Sequence, residues 1–273
     1  MIYIYLINDN NITKKYNIWG KYMISKRFNN KVAIVTGAAK GMGRETAKRI
    51  AAEGGSIVIC DIDEKALDLT YQDFLNQEFS VKRVVCNIAD SKEVESLIGK
   101  TVEAFGRIDI LINNAGVLLS STIEDTTNAM IDKTLDVNLK GVLYAIRSIT
   151  PVMKKQGYGR IINISSITGK NGDNATTFVY GASKGALISM TRSVARQLGP
   201  FGITCNAIAP HAVMTELMKY WSEEKKKIMA EKIPVKRLGT EEDMASLICY
   251  LASDESGFIN GETVNINGGY YMD

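Results

Sequence analysis

The sequence predicts one α/β domain, a doubly wound parallel sheet of about seven strands with helices on both faces. Three observations predict it. From Lys31 onward, short β-branched runs alternate with amphipathic stretches. Most of the runs read as continuously apolar rather than apolar at every second residue, as a parallel strand covered on both faces requires. Internal repeats, Pro-rich linkers and low-complexity tracts are absent, so the 273 residues read as a single large domain. Strict β-α alternation then favours right-handed crossovers in one sheet.

Taken in order, strands are expected at Val32–Thr36, Ser56–Asp61, Lys82–Asn87, Ile108–Asn113, Arg160–Ser165, Thr204–Ala209 and Thr263–Ile266. Helices are expected near residues 42–54, 63–77, 91–105, 128–155, 176–199 and 240–252. Asp90 with Glu93, and Thr240 with Asp243, resemble helix starts in which a capping side chain is followed three residues on by an acid. One segment breaks the rhythm. Residues 211–238 carry Leu217, Met218, Tyr220, Trp221, Ile228 and Met229 after the sixth strand. A long connection at the C-terminal end of a parallel strand is where α/β enzymes place substrate contacts, so the segment reads as a lid. The plainer alternative is a small helical hairpin packing those groups on its own domain. Residues 1–30 are expected to form an N-terminal extension to the domain at 31–273, with Met23 as an alternative translation start and no function in the first 22 residues.

Composition removes several function classes. The net charge is +3 and no long Lys/Arg run occurs, which gives no reason to expect nucleic acid or a membrane surface as a partner. The densest cluster, Glu223-Glu224-Lys225-Lys226-Lys227, mixes signs and reads as a solvated helix face. The apolar piece Ile2–Ile7 is too short to span a bilayer and lacks the flanks of a secretory signal. A single histidine, His211, excludes a zinc site built on several histidines. It also leaves a Ser-His-Asp hydrolase only one base, with no Gly-x-Ser-x-Gly elbow to accompany it, and no metal is expected. Cys60, Cys86, Cys205 and Cys249 are widely spaced in apolar runs, three in strands and Cys249 in a helix, so buried free thiols and a cytoplasmic location are expected.

The first strand runs into Thr36-Gly37-Ala38-Ala39-Lys40-Gly41-Met42-Gly43 and then a helix. The glycine spacing differs from Gly-x-Gly-x-x-Gly, but the physics is shared. A tight strand-to-helix turn brings bare backbone and a helix N-terminus to a pyrophosphate. Asp61 ends the second strand, where an acid accepts from adenosine ribose hydroxyls and repels a 2′-phosphate. Lys40, beside the turn, would instead attract that phosphate. An uncompensated carboxylate facing a phosphate costs on the order of several kcal/mol, so Asp61 decides the reading for NAD over NADP.

Further along stand Asn113-Asn114-Ala115-Gly116, Asn138 in Val137-Asn138-Leu139-Lys140-Gly141, Ser166 in Asn163-Ile164-Ser165-Ser166, and Tyr180-x-x-x-Lys184. Tyr180 and Lys184 are spaced i, i+4 and meet on one helix face. A free phenol, with a pKa of about 10, is a poor base at neutral pH. An ammonium about 4 Å away, worth up to ~4 kcal/mol at an effective dielectric of about 20, would lower it by roughly two or three units. Tyr180 thereby reads as a general acid/base.

With these motifs in order along residues 31–273, the chain resembles the short-chain dehydrogenase/reductase family. The resemblance implies a seven-stranded Rossmann-like sheet, a homotetramer or homodimer, and hydride transfer between a nicotinamide dinucleotide and a small secondary alcohol or ketone. It implies that Ser166, rather than Ser165, bonds the substrate oxygen, that Tyr180 exchanges its proton, that Lys184 also holds the nicotinamide ribose, and that Asn138 supports a water relay. Gly37, Lys40, Gly41, Met42 and Gly43 would bind the cofactor with Asp61. Asn87 and Ile88 would do so near the adenine, and Asn114, Ala115 and Gly116 at the turn after the fourth strand. Pro210, Val213 and Thr215 would do so near the nicotinamide carboxamide. Ser166 lies fourteen residues before Tyr180, one more than is common in the family. Three features depart from the family pattern: His211 after Pro210, Asn87 in place of an acid, and the apolar Val117-Leu118-Leu119. Leu118, Leu119, Val213, Leu217, Met218, Tyr220 and Trp221 suggest an apolar pocket, which favours a hydroxysteroid or bile acid. The alternatives are a 3-oxoacyl-carrier-protein reductase using NADPH, and a cofactor-binding regulator that has lost its chemistry. Phe201 stands where a basic contact to an acidic carrier protein would be wanted.

Overall fold

Seven parallel strands form one sheet in the computed structural model, which describes residues 4–5, 15–16, 26–172, 177–215, 218 and 221–273. They are β1 (Val32–Thr36), β2 (Ser56–Asp61), β3 (Val81–Val85), β4 (Ile110–Asn113), β5 (Gly159–Ile164), β6 (Ile203–Pro210) and β7 (Thr263–Ile266). Their order is β3-β2-β1-β4-β5-β6-β7 and every pairing is parallel. The order reverses between β1 and β4, and the crevice at such a reversal is where open α/β sheets bind ligands. The architecture is the expected α/β, Rossmann-like one.

Helices α1 (Gly41–Ala52), α2 (Glu64–Asn76) and α8 (Glu241–Ala252) cover one face, α1 and α2 burying Ile50, Leu67 and Phe74 against β1 and β2, and α8 burying Ile248 on the side of β5 and β6. Helices α3 (Ser91–Phe105), α5 (Gly141–Gln156) and α6 (Phe178–Leu198) cover the other through Leu97, Ile149 and Leu187. With both faces covered, β1 is buried at every residue, and no alternation is left for its sequence to show.

Four differences from the sequence expectations have physical causes. The single helix expected over 128–155 is α4 (Asn128–Leu135), a five-residue π turn at Asp136–Lys140, and α5. A one-residue bulge leaves apolar periodicity almost untouched, so periodicity could not reveal it. The strand expected to reach Asn87 stops at Val85, because the Asn87 carboxamide accepts from Ala89 N–H (3.1 Å) and turns the chain. Cys86 therefore lies just past β3; all four cysteines are buried and unbridged. Residues 27–30, expected in the extension, belong to the domain. Phe28 is fully buried and Arg27 grips Glu53 with two bonds, at 2.6 and 2.8 Å. Of residues 1–25 the structure describes only a short antiparallel pairing of Ile4–Tyr5 with Lys15–Tyr16. Finally, Thr240 and Asp243 form the reciprocal cap expected at α8, whereas Glu93 turns away from the Asp90 cap to accept from Asn87 N–H at 2.8 Å.

In the segment 211–238, helix α7 (Glu223–Lys232) starts at a Ser222 cap and buries none of its side chains. Leu217 and Tyr220 lie outside the described residues. No helix among the described residues is long and apolar enough to cross a membrane.

Candidate active site

The glycine turn joins β1 to α1. Gly37 and Gly41 have φ of +64° and +63°, a region that side chains other than glycine rarely adopt. A Cβ on Gly43 would stand 2.3 Å from the Gly37 carbonyl oxygen, so α1 can approach β1 this closely only with glycine there. The start of α1 has no side-chain cap and no acid in its first turn. By contrast, α8 beside it carries a full capping box and three first-turn acids. Its first N–H groups and dipole thus face outward for an anion to complete, which fits a pyrophosphate. Met42 packs on the core behind this turn.

Thr36 ties the turn to the fourth strand, a link that sequence reasoning missed. Its hydroxyl accepts from Asn114 N–H and Ala115 N–H, both at 3.0 Å, and Asn114 Nδ2 donates to the Thr36 and Gly37 carbonyls at 2.9 Å. The available signal was a hydroxyl residue at the last position of β1. Asp61 accepts from Ala39 N–H and Asp63 N–H, each at 3.1 Å, which fixes its carboxylate beside the turn. Lys40 is paired with Asp63 at 3.2 Å, so its charge is partly offset.

Tyr180 and Lys184 lie on α6 opposite the end of β5. The Ser166 hydroxyl is hydrogen-bonded with the Tyr180 phenol, and Lys184 Nζ donates to Ile164 O at 2.7 Å. A Cβ added to Gly116 would lie 3.3 Å from Asn138 Oδ1 and 3.5 Å from Lys184 Nζ, so three separate motifs converge on this glycine. Asn138, fully buried in the π turn, accepts from Val117 N–H (2.7 Å) and donates to Val117 O (2.8 Å) and Ser183 Oγ (3.2 Å). Ser183 in turn donates to Tyr180 O at 2.7 Å. Tyr180, Lys184, Ser166, Asn138 and Gly116 are therefore brought together.

The electrostatics differ from the sequence expectation. Lys184 Nζ lies 5.5 Å from the Tyr180 ring centroid and points at a carbonyl. Burial raises the Tyr180 pKa above the usual phenol value, and the Ser166 bond only partly opposes it. Burial also pushes Lys184 down to about 8. The expected lowering of Tyr180 by a neighbouring ammonium is thus corrected: desolvation acts on both groups and favours the neutral form of each.

A family model described as enoyl-(acyl carrier protein) reductase matches residues 37–271. A 3-oxoacyl-[acyl-carrier-protein] reductase of Staphylococcus epidermidis is 36% identical over 244 residues, covering 89% of this chain and 100% of its own. The chain belongs to the short-chain dehydrogenase/reductase family. It is an oxidoreductase acting on CH–OH or keto groups, and members of the family bind NAD(H) or NADP(H). A (2S)-[(R)-hydroxy(phenyl)methyl]succinyl-CoA dehydrogenase subunit of Thauera aromatica is 35% identical, covering 88% of this chain and 96% of its own. A solved short-chain dehydrogenase/reductase described as a glucose/ribitol dehydrogenase, from Brucella melitensis, superposes with a TM-score of 0.84 at 29% identity, over 90% of this chain and 99% of its own.

The remaining expected residues of this short-chain dehydrogenase/reductase lie around the same edge of the sheet. Asn87 and the buried Ile88 follow β3, and Pro210 ends β6. Val213 bridges to Gly239, with Thr215 two residues on. His211 stacks on Tyr270 with ring centroids 3.9 Å apart, filling the loop. A cleft of about 720 Å³ opens between the glycine turn, Leu69 and Thr70 of α2, Met214 and Met218, Lys226 of α7, and the start of α8. Tyr180, Ser166 and Lys184 do not line it, and of the apolar pocket residues expected only Met218 does among the described residues. Lys40, Arg44, Lys226, Glu241 and Glu242 place charged groups on its walls.

Proposed function

We propose that this enzyme interconverts 3-oxoacyl and 3-hydroxyacyl thioesters, with NADH as the preferred reductant. The observation that carries it is the meeting of Ser166, Tyr180 and Lys184 at the end of β5, next to an uncapped α1 and the Asp61 carboxylate. The substrate class is supported by the relatives: one is named for a 3-oxoacyl group on a carrier protein, the other for a hydroxylated acyl-CoA. A steroid or bile acid is less well supported, because neither of these relatives is named for one.

The nicotinamide dinucleotide supplies or accepts the hydride. Gly37, Lys40, Gly41, Met42 and Gly43 would hold its pyrophosphate and Asp61 the adenosine ribose. Asn87 and Ile88 would flank the adenine; Asn114, Ala115 and Gly116 would line the turn beside it; and Pro210, Val213 and Thr215 would receive the carboxamide. Ser166 donates to the substrate oxygen. Tyr180, kept protonated by burial, gives that oxygen its proton during reduction. Lys184 would hold the nicotinamide ribose, and Asn138 fixes the loop and helix on either side of it. Asp61 would repel a 2′-phosphate, and the Lys40–Asp63 pair leaves less positive charge to offset that repulsion. Buried free thiols support a reducing, cytoplasmic setting, and the family resemblance supports a homo-oligomer.

The test compares acetoacetyl-CoA reduction by NADH and by NADPH with oxidation of a hydroxysteroid by NAD. The proposal expects acetoacetyl-CoA to be the better substrate and NADH to exceed NADPH by about tenfold or more in kcat/KM. Faster steroid oxidation would overturn the substrate class, and NADPH preference the cofactor. NADH binding without turnover of either compound would point to the regulator.

A further inference from the structure

We propose that Ser165 is a positioning residue for this reaction, its hydroxyl setting the place of Lys184. The proposal rests on the catalytic reading above and deepens it. Ser165 Oγ donates to the main-chain carbonyl of Lys184 at 2.8 Å, while Lys184 Nζ donates to the carbonyl of Ile164 at 2.7 Å. Two consecutive residues at the end of β5 thus hold one lysine at both ends, its backbone and its ammonium. The lysine side chain has four rotatable bonds, and a single contact at its tip would leave the helix free to slide beneath it.

The surroundings make this bond hard to replace. Ser165 is 1% exposed and Lys184 5%, so solvent offers no substitute donor. Ser165 N–H donates to Ile208 O at 2.9 Å, which anchors the serine itself to β6. Gly169 presses on the same point of α6, for a Cβ there would stand 2.6 Å from the Lys184 carbonyl carbon. Both serines face α6, Ser166 reaching the Tyr180 phenol and Ser165 the helix backbone at Lys184. The two serines divide the work: one touches the reacting groups, the other sets the distance between them and the lysine. A shift of about 1 Å in such a group can cost about 10²-fold in rate.

The experiment uses Ser165→Ala, Ser165→Thr and Tyr180→Phe in the full chain. NADH affinity is read by fluorescence titration, and the pH profile of kcat by acetoacetyl-CoA reduction. Ser165→Ala should lower kcat by about 10- to 100-fold, weaken NADH several-fold and displace the limb of the pH profile by about one unit. Ser165→Thr, which keeps the hydroxyl, should recover all three to within about threefold of the parent or a fraction of a pH unit. A merely structural role would lower the melting temperature and leave affinity and profile in place. Unmoved affinity and profile in folded Ser165→Ala would overturn the proposal, as would a threonine variant no better than alanine. If Ser165→Ala does not fold, Ser165→Cys, of similar volume and weaker as a donor, is judged by the same criteria. Full turnover in Tyr180→Phe would overturn the catalytic reading and this proposal with it. Loss of turnover there beside an unmoved Ser165→Ala overturns the proposal alone.

Discussion

The two ends of the sheet are both rich in polar groups, yet they satisfy them differently. At the N-terminal ends of the strands, charges meet opposite charges. The buried Asp109 takes two bonds from Arg107, at 2.8 and 2.6 Å, and one from Val32 N–H at 2.8 Å. Asp254 gathers Lys31, Arg160 and the Tyr158 hydroxyl, and the Lys31 ammonium sits 3.6 Å from the Tyr158 ring centroid. At the C-terminal ends, ion pairs such as Lys40–Asp63 lie at the rim, while Lys184 and Asp61 within the site meet neutral partners. Lys184 has a carbonyl, Asp61 has two main-chain N–H groups, and the start of α1 has no cap. A charge held by neutral partners is still able to respond to a charged ligand. The first end is complete without a ligand, and the second is built to be completed by one.

This contrast can be broken by substitution. The largest effect is expected from Tyr180→Phe, which should lower kcat by about 10³-fold while NADH binding stays within about threefold. Lys184→Met should follow, with about 10²-fold loss of kcat and weaker NADH binding. It also carries a pH test. The folded pKa of Lys184 is about 8 against 10.5 ordinarily. Between these values the unfolded chain keeps a proton that the folded chain has released, so this group makes the fold more stable as pH rises through that window. Denaturant unfolding of parent and Lys184→Met should differ by that slope, and parallel curves would refute it. At the opposite end, Asp109→Ala should cost about 2–3 kcal/mol of stability and leave kcat within about twofold. A large loss of kcat in a folded Asp109→Ala protein would erase the distinction between the ends. The smallest expected effect is in selectivity: Asp61→Ser should move the NADH/NADPH ratio of kcat/KM by about tenfold toward NADPH.

Much of the fold was legible because parallel strands buried on both faces carry continuous apolar runs, as Val32–Val35 and Ile57–Cys60 do. The helix spacing of Tyr180 and Lys184 and the opening of α1 at the glycine turn were legible for similar local reasons. What sequence patterns missed are bonds between distant elements. The Ser165 hook on Lys184, the Thr36 link to Asn114 and Ala115, and the Asn138 bonds to Val117 and Ser183 each join residues that periodicity treats separately. The Tyr180 electrostatics failed for a related reason. Spacing gives the face on which the lysine lies but not the carbonyl at which its ammonium points, nor the burial that outweighs it.

The central claim is that the groups at the ends of β1, β2 and β5 bring a nicotinamide and a carbonyl carbon together for hydride transfer. NADH carrying deuterium on one face of nicotinamide carbon 4 tests it most directly, with acetoacetyl-CoA and, in parallel, a ketosteroid and a ketose as acceptors. The account predicts deuterium from a single face on the new carbinol carbon of the acyl thioester. NADH that binds yet passes deuterium to none of the three acceptors would contradict it.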